Sequence, residues 1–283
     1  VIVIEGRERI GGRLHTVDFE GTMVDEGGNW IHGVPENPLY HLVKEAGFNT
    51  IKEDFGHPLH MSVFDSVTGR KVSRLRTLYM LWRANRLVSR LTQENLLSDH
   101  PEANLAETLN KEISRIRGRL SQRLFRLGLL TIVDLTKAEK SEQLHPNALS
   151  IIPDYEGTSD HIIDGGYVRL IESLATDLDI FLGTIVEKIS YHAQGVRVET
   201  DQGEFSGSHV IVTVPLGVLK SKRISFEPPL PARKQQAIET LGFGNVEKIF
   251  LKFNKAFWRS SSQQPKHLIH LSDSVGDMPV FLD

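Results

Sequence analysis

The 283-residue chain contains no cysteine. Disulfides, thiolate metal centres and cysteine nucleophiles are therefore excluded within it. Its histidines show no H-E-x-x-H or comparable ligand spacing, so no metal is expected. No apolar run approaches the roughly 20 residues that a membrane-spanning helix needs. Neither charge sign dominates, and the formal net charge of -3 gives no general attraction to nucleic acid or to an anionic bilayer. The 40% hydrophobic content is enough for a substantial core, in one large domain or two. A G-x-G-x-x-G turn is also absent.

That last absence matters because of what the chain does have at its start. Val1 to Ile4 are four β-branched aliphatics that run straight into Glu5, as a buried parallel strand would. An acid at the carboxyl end of such a strand can accept hydrogen bonds from both hydroxyls of a ribose. The glycine-rich turn normally precedes that acid by about 20 residues. Its place in the pattern would fall upstream of Val1, so the chain reads as a fragment. Past Glu5 come Arg7, then Gly11 and Gly12, whose lack of side chains lets backbone N–H groups approach a phosphate, and Arg13, which can neutralise one.

Further on, Glu20-Gly21 punctuates a hairpin, and Pro35 to Pro38 open a helix that runs to Gly47. Residues 53–147 hold few glycines and many arginines. They predict two long helices, near Ser73 to Leu97 with Leu75, Leu78, Trp82, Val88 and Leu91 on one side, and near Asn104 to Leu130. The arginines of the first helix have no base-reading motif or interleaved exposed aromatics beside them, and read as a solvated face. Strands are expected at 183–191, 195–200 and 209–214, a helix at 231–241 and a strand at 247–253.

Three runs together, Glu5-Gly6-Arg7, Arg9-Ile10-Gly11-Gly12-Arg13 and Glu26-Gly27-Gly28-Asn29-Trp30-Ile31-His32-Gly33, resemble the flavin amine oxidase family. With His32 in that place the resemblance is nearest to its spermine and acetylpolyamine oxidases. It implies an α/β fold: a Rossmann-like FAD-binding domain from residues 1–55 and 164–218, and a substrate domain of mixed sheet and helices from 56–163 and 219–283. Both domains would be discontinuous in sequence and incomplete.

By the same resemblance, Glu5, Arg7, Gly11, Gly12, Arg13, Gly27, Gly28, Asn29, Trp30 and, through its backbone, Val186 would hold FAD. Lys248 would reach a water beside the flavin, and His32 would position or deprotonate the substrate amine. Asp154 or Glu156 would meet a polycationic substrate, with Asp154 the closer match; Trp258 is left to core packing. The implied reaction moves a hydride from the carbon beside an amine nitrogen to FAD, with O2 reduced to H2O2. A histone demethylase and a monoamine oxidase share the motifs. A flavin-free, non-catalytic protein is the alternative of another class. The partners expected are a small amine and O2; oligomeric state stays open, and the cytoplasm or peroxisome is favoured.

Overall fold

The computed structural model describes residues 1–53, 61–93, 104–134, 138–151, 159–259, 267–272 and 280–282. The chain forms two compact units, one from Val1–Ile51 and His161–Phe243, the other from Lys52–Asp160 and Gly244–Asp283.

The first unit begins with β1 (Ile2–Ile4), followed by the hairpin of β2 (Thr16–Phe19) and β3 (Thr22–Asp25). That hairpin turns on Glu20 and Gly21, both with positive φ, and the Asp18 carboxylate accepts from the Gly21 N–H. After β4 (Ile31–Val34), α1 (Pro38–Glu45) starts where the sequence predicts a helix. The Asn37 side chain caps the Leu39 N–H, and the helix stops at left-handed Gly47. Strand β5 (Thr50–Glu53) follows.

In the second unit, β6 (Met61–Asp65) leads into α2 (Arg74–Gln93). The buried residues of α2 are Thr77, Met80, Ala84, Leu87, Val88 and Leu91, at the i, i+3, i+4 and i+7 spacing of one helix face. Leu75 and Trp82, expected on the packed side, are exposed, because the stripe that meets the core is rotated away from them. One predicted helix near 104–130 is two: α3 (Leu105–Ser114) and α4 (Arg119–Leu129). Gly118, with φ +87, sits between them. A backbone in that region ends a right-handed helix, although the apolar periodicity runs through the break. Helices α2 and α4 approach closely at Gly128, where an added Cβ would lie 2.8 Å from the Ala84 Cβ. Their core includes Leu105, Leu124, Phe125 and Val133.

The chain returns along β7 (Ser159–Ile163), the middle strand of a sheet ordered β4-β7-β5; the change from one unit to the other falls inside β5 and β7. Left-handed Gly165 and Gly166 then turn the chain into α5 (Val168–Ala175). Strand β8 (Asp179–Phe181) pairs in parallel with β1, Ile2 opposite Asp179 and Ile4 opposite Phe181. Next come β9 (Val186–His192), β10 (Gly195–Thr200) and β11 (Gly203–Gly207), an antiparallel meander.

The strand expected at 209–214 does not form among the described residues. Hydrogen bonding goes instead to β11, and the apolar run beyond it stays outside any ladder, with Ile211 87% exposed. After α6 (Leu216–Lys220), β12 (Ser225–Glu227) pairs in parallel with β9. That pairing keeps β12 and α7 (Ala232–Thr240) in the first unit, whereas the sequence assigns 219–243 to the second part. The second unit closes with β13 (His267–Leu271) and β14 (Val280–Leu282), in a sheet ordered β14-β13-β6.

Candidate functional site

The first unit gathers most of the predicted residues around the end of β1. The chain beyond the strand stays registered against its neighbour: Glu5 N–H donates to the Phe181 carbonyl (2.9 Å), Thr184 N–H to the Glu5 carbonyl (3.0 Å) and Gly183 N–H to the Arg7 carbonyl (2.9 Å). Glu5 is half-buried. Its Oε1 accepts from the Arg7 N–H at 2.8 Å, which fixes the carboxylate at the strand end and leaves Oε2 without a hydrogen-bond partner. Val186 begins β9 two residues past Thr184, and Ile4 and Val186 pack against the same cluster of Ile189, Val196 and Val198. The acid and the Val186 backbone are thus brought to one end of one unit.

The glycine turn is built by a residue to which the sequence assigns no role. Arg9 donates from Nη1 to the Ile10 and Leu14 carbonyls (3.2 and 3.3 Å) and from Nη2 to the Gly12 carbonyl (3.0 Å). Three carbonyls turned toward one guanidinium leave a loop in which Arg7 and Arg13 are exposed and, among the described residues, have no carboxylate partner, while the Glu8 carboxylate lies beside Gly183. Gly11 has φ +94, and a Cβ there would sit 2.6 Å from the Leu14 carbonyl oxygen. Only glycine fits.

The second glycine pair lies against the first turn. A Cβ on Gly27 would fall 1.9 Å from the Arg13 carbonyl oxygen, and Gly28 N–H donates to that same oxygen at 3.4 Å. Two backbones touch with no side chain between them. Thr16 and Asp25 brace this arrangement from behind: Thr16 Oγ1 donates to Asp25 Oδ1 (2.5 Å), and the two accept from the Val168 and Tyr167 N–H groups at the start of α5. Buried Tyr167 donates its hydroxyl to the Trp30 carbonyl (3.2 Å). Its phenol is pushed up to about 12, first by burial and then by the negative charge of Asp25.

Trp30 and His32 have ring centroids 6.2 Å apart, and the His32 carbonyl accepts from the Asn37 side chain (2.7 Å). His32 is half-buried on β4, and Asn29 and Trp30 are half-buried just before it. Lys248 belongs to the second unit. It is half-buried in extended chain flanked by exposed Val246, Glu247 and Ile249, and 247–253 is not among the strands of the described residues. Asp154 and Glu156 lie outside the described residues.

A half-buried acid at a parallel strand end, an arginine-organised glycine turn and two uncompensated guanidiniums define a dinucleotide-binding class of domain. The sequence profile of flavin containing amine oxidoreductases matches residues 1–283. The chain belongs to that family, whose cofactor is FAD. It is 31% identical to lysine-specific histone demethylase 1 homolog 1 of Oryza sativa subsp. japonica, across 99% of this chain and 34% of that protein. To polyamine oxidase 2 of Arabidopsis thaliana it is 33% identical, across 91% of this chain and 54% of that protein. The chain thus spans between a third and about half of these relatives. A putrescine oxidase solved with putrescine bound superposes with a TM-score of 0.70 at 20% identity, covering 100% of this chain and 66% of that one, and so shares the fold.

The residues present fit FAD. Glu5 Oε2, without a hydrogen-bond partner among the described residues, suits a ribose hydroxyl, Arg7 and Arg13 suit phosphate charge, and the Gly12 backbone is open, since a Cβ there would meet nothing within 4 Å.

Proposed function

We propose that the protein oxidises an amine, and in particular a polyamine, with release of H2O2. Bound FAD supplies the redox chemistry, accepting a hydride from the carbon beside the amine nitrogen and passing the electrons to O2. This chain's own part is binding, orientation and proton handling. Glu5, with Arg7, Gly11 to Arg13, Gly27 to Trp30 and the Val186 backbone, holds the cofactor. His32 orients the substrate amine and takes its proton, since only the neutral amine gives up hydride readily. Lys248 holds a water at the flavin, and Asp154 attracts a distal ammonium.

The observation that carries this reading is the Glu5 and double-glycine arrangement in a chain matched from end to end by the family profile. The polyamine preference rests on the Arabidopsis relative and on His32. A second reading, oxidation of an N-methylated lysine in a peptide, is favoured by the rice relative, which aligns over nearly the whole chain. Anaerobic mixing of the flavin-loaded protein with spermine, N1-acetylspermine and a dimethyl-lysine peptide separates the two. Bleaching of the flavin absorbance by either polyamine supports the first reading, bleaching by the peptide alone supports the second, and no bleaching by any of them overturns both.

A further inference from the structure

The face of α2 turned away from the core is not plainly polar. Leu75, Tyr79 and Trp82 are 80%, 53% and 53% exposed and, with Arg86, follow one another at spacings of four, three and four residues, which makes a single stripe. Tyr79 and Trp82 stack at 6.2 Å and 21°, the Arg83 guanidinium lies 5.8 Å from the Tyr79 ring centroid, and that of Arg86 lies 5.3 Å from the Trp82 centroid. The arginines are therefore interleaved with exposed aromatics, contrary to the reading from sequence.

This helix holds five arginines and no acid in a chain of net charge -3, so the remaining residues carry a formal -8. Arg90 reaches Glu112 at 3.9 Å, but Arg76, Arg83 and Arg86 have no carboxylate partner among the described residues. Cation–π contacts hold half-buried Arg83 between Tyr79 and Phe125, 5.8 Å from each centroid, and exposed Arg86 against Trp82, and the exposed guanidinium of Arg86 has donors for an anion.

We propose that this stripe docks an acidic amphipathic peptide segment of another protein. Guanidiniums a helical turn apart match carboxylates at i and i+4, and Leu75 with the edges of Tyr79 and Trp82 offers the apolar strip that such a segment covers. A single-stranded nucleic acid fits less well. Its bases need open ring faces, whereas these rings are engaged with each other and with the guanidiniums, and the formal -8 of the rest of the chain repels a long polyanion.

The probe is a displayed peptide library with Glu fixed at i and i+4 and randomised neighbours, selected on the full chain with counter-selection on Arg76→Glu/Arg86→Glu. That variant is first checked for an unchanged melting curve. Enriched peptides are expected to bind wild type with affinity that falls at least tenfold in the double variant, several-fold in Leu75→Ser, and several-fold between 50 and 300 mM salt. The proposal is overturned by failure to enrich, or by equal binding of a composition-matched scrambled peptide. Tighter binding of oligo(dT) or phosphatidylserine vesicles than of any peptide also overturns it, as does concentration-dependent self-association that the double variant abolishes.

Discussion

Gly27→Ala tests whether the two glycine turns of the first unit work as one clamp. The new Cβ would fall 1.9 Å from the Arg13 carbonyl oxygen and 2.9 Å from its carbonyl carbon. Ordinary contact needs about 3.4 Å, and no side chain stands between the backbones to rotate away. The segments must part by more than an ångström, which breaks the Gly28 to Arg13 bond and strains the Glu26 to His15 bond of 2.8 Å beside it. Overpacking costs about 1–3 kcal/mol where side chains can relax, so a backbone collision belongs at the upper end. About 3 kcal/mol corresponds to a fall of roughly 10 °C in the melting temperature of a unit this size.

Gly12→Ala is the control. Its φ of +56 also disfavours a side chain, yet a Cβ there meets nothing within 4 Å, so the cost is limited to about 1 kcal/mol of backbone strain. Thermal unfolding of both variants decides the matter. If Gly27→Ala melts like wild type, or if Gly12→Ala lowers the melting temperature as much, the clamp is not what holds these turns.

Glu5→Gln keeps an acceptor for the Arg7 N–H and removes the charge proposed to meet the ribose, so FAD affinity is expected to fall about 10- to 100-fold with an unchanged circular dichroism spectrum; unchanged affinity would refute the assignment. Tyr167→Phe removes the bond to the Trp30 carbonyl and is expected to destabilise the protein by about 1 kcal/mol at neutral pH. That difference shrinks in alkali. Because the folded phenol is pushed up to about 12, its stabilising contribution is whole below pH 10 and lost as pH rises from 10 to 12, so the gap between wild type and variant should close across that window; a constant gap in urea titrations would contradict the buried phenol. Leu124→Ala, at a fully buried site in the second unit, is expected to cost about 2–5 kcal/mol in urea unfolding, and a loss below 1 kcal/mol would place Leu124 outside the core.

Local rules made much of the first unit legible. An apolar run ending in an acid, a positive-φ hairpin turn and an Asn-Pro helix start are each decided within a few residues, and β1, the β2–β3 hairpin and α1 formed accordingly. What sequence did not disclose depends on partners distant along the chain. Ladder partners decided that Gly203 to Gly207 became a strand and 209–214 did not, and the pairing of β12 with β9 drew 219–243 into the first unit. The rotation of α2 about its own axis was settled by which side met α4, and periodicity alone left Leu75 and Trp82 on the wrong face.

Arginine shows why the site itself was only half readable. Arg7, Arg9 and Arg13 sit among the same few glycines and look equivalent in a string, yet Arg9 is consumed by three backbone carbonyls while the other two have no carboxylate partner among the described residues. Arg123, inside the apolar pattern of α4, is buried against Asp65 (2.5 Å) and also bonds the Ser66 hydroxyl (3.0 Å) and the Leu271 carbonyl, tying α4 to β6 and β13. Its guanidinium donates to the Asp65 carboxyl and holds it below the usual carboxylate range, so this tie is fully present above the ordinary carboxylate pKa and is lost as acid takes the pH down through the lowered one. A guanidinium that organises backbone, one that closes a core and one left exposed beside a glycine turn share a letter, and only the carbonyls and carboxylates within about 3 Å distinguish them.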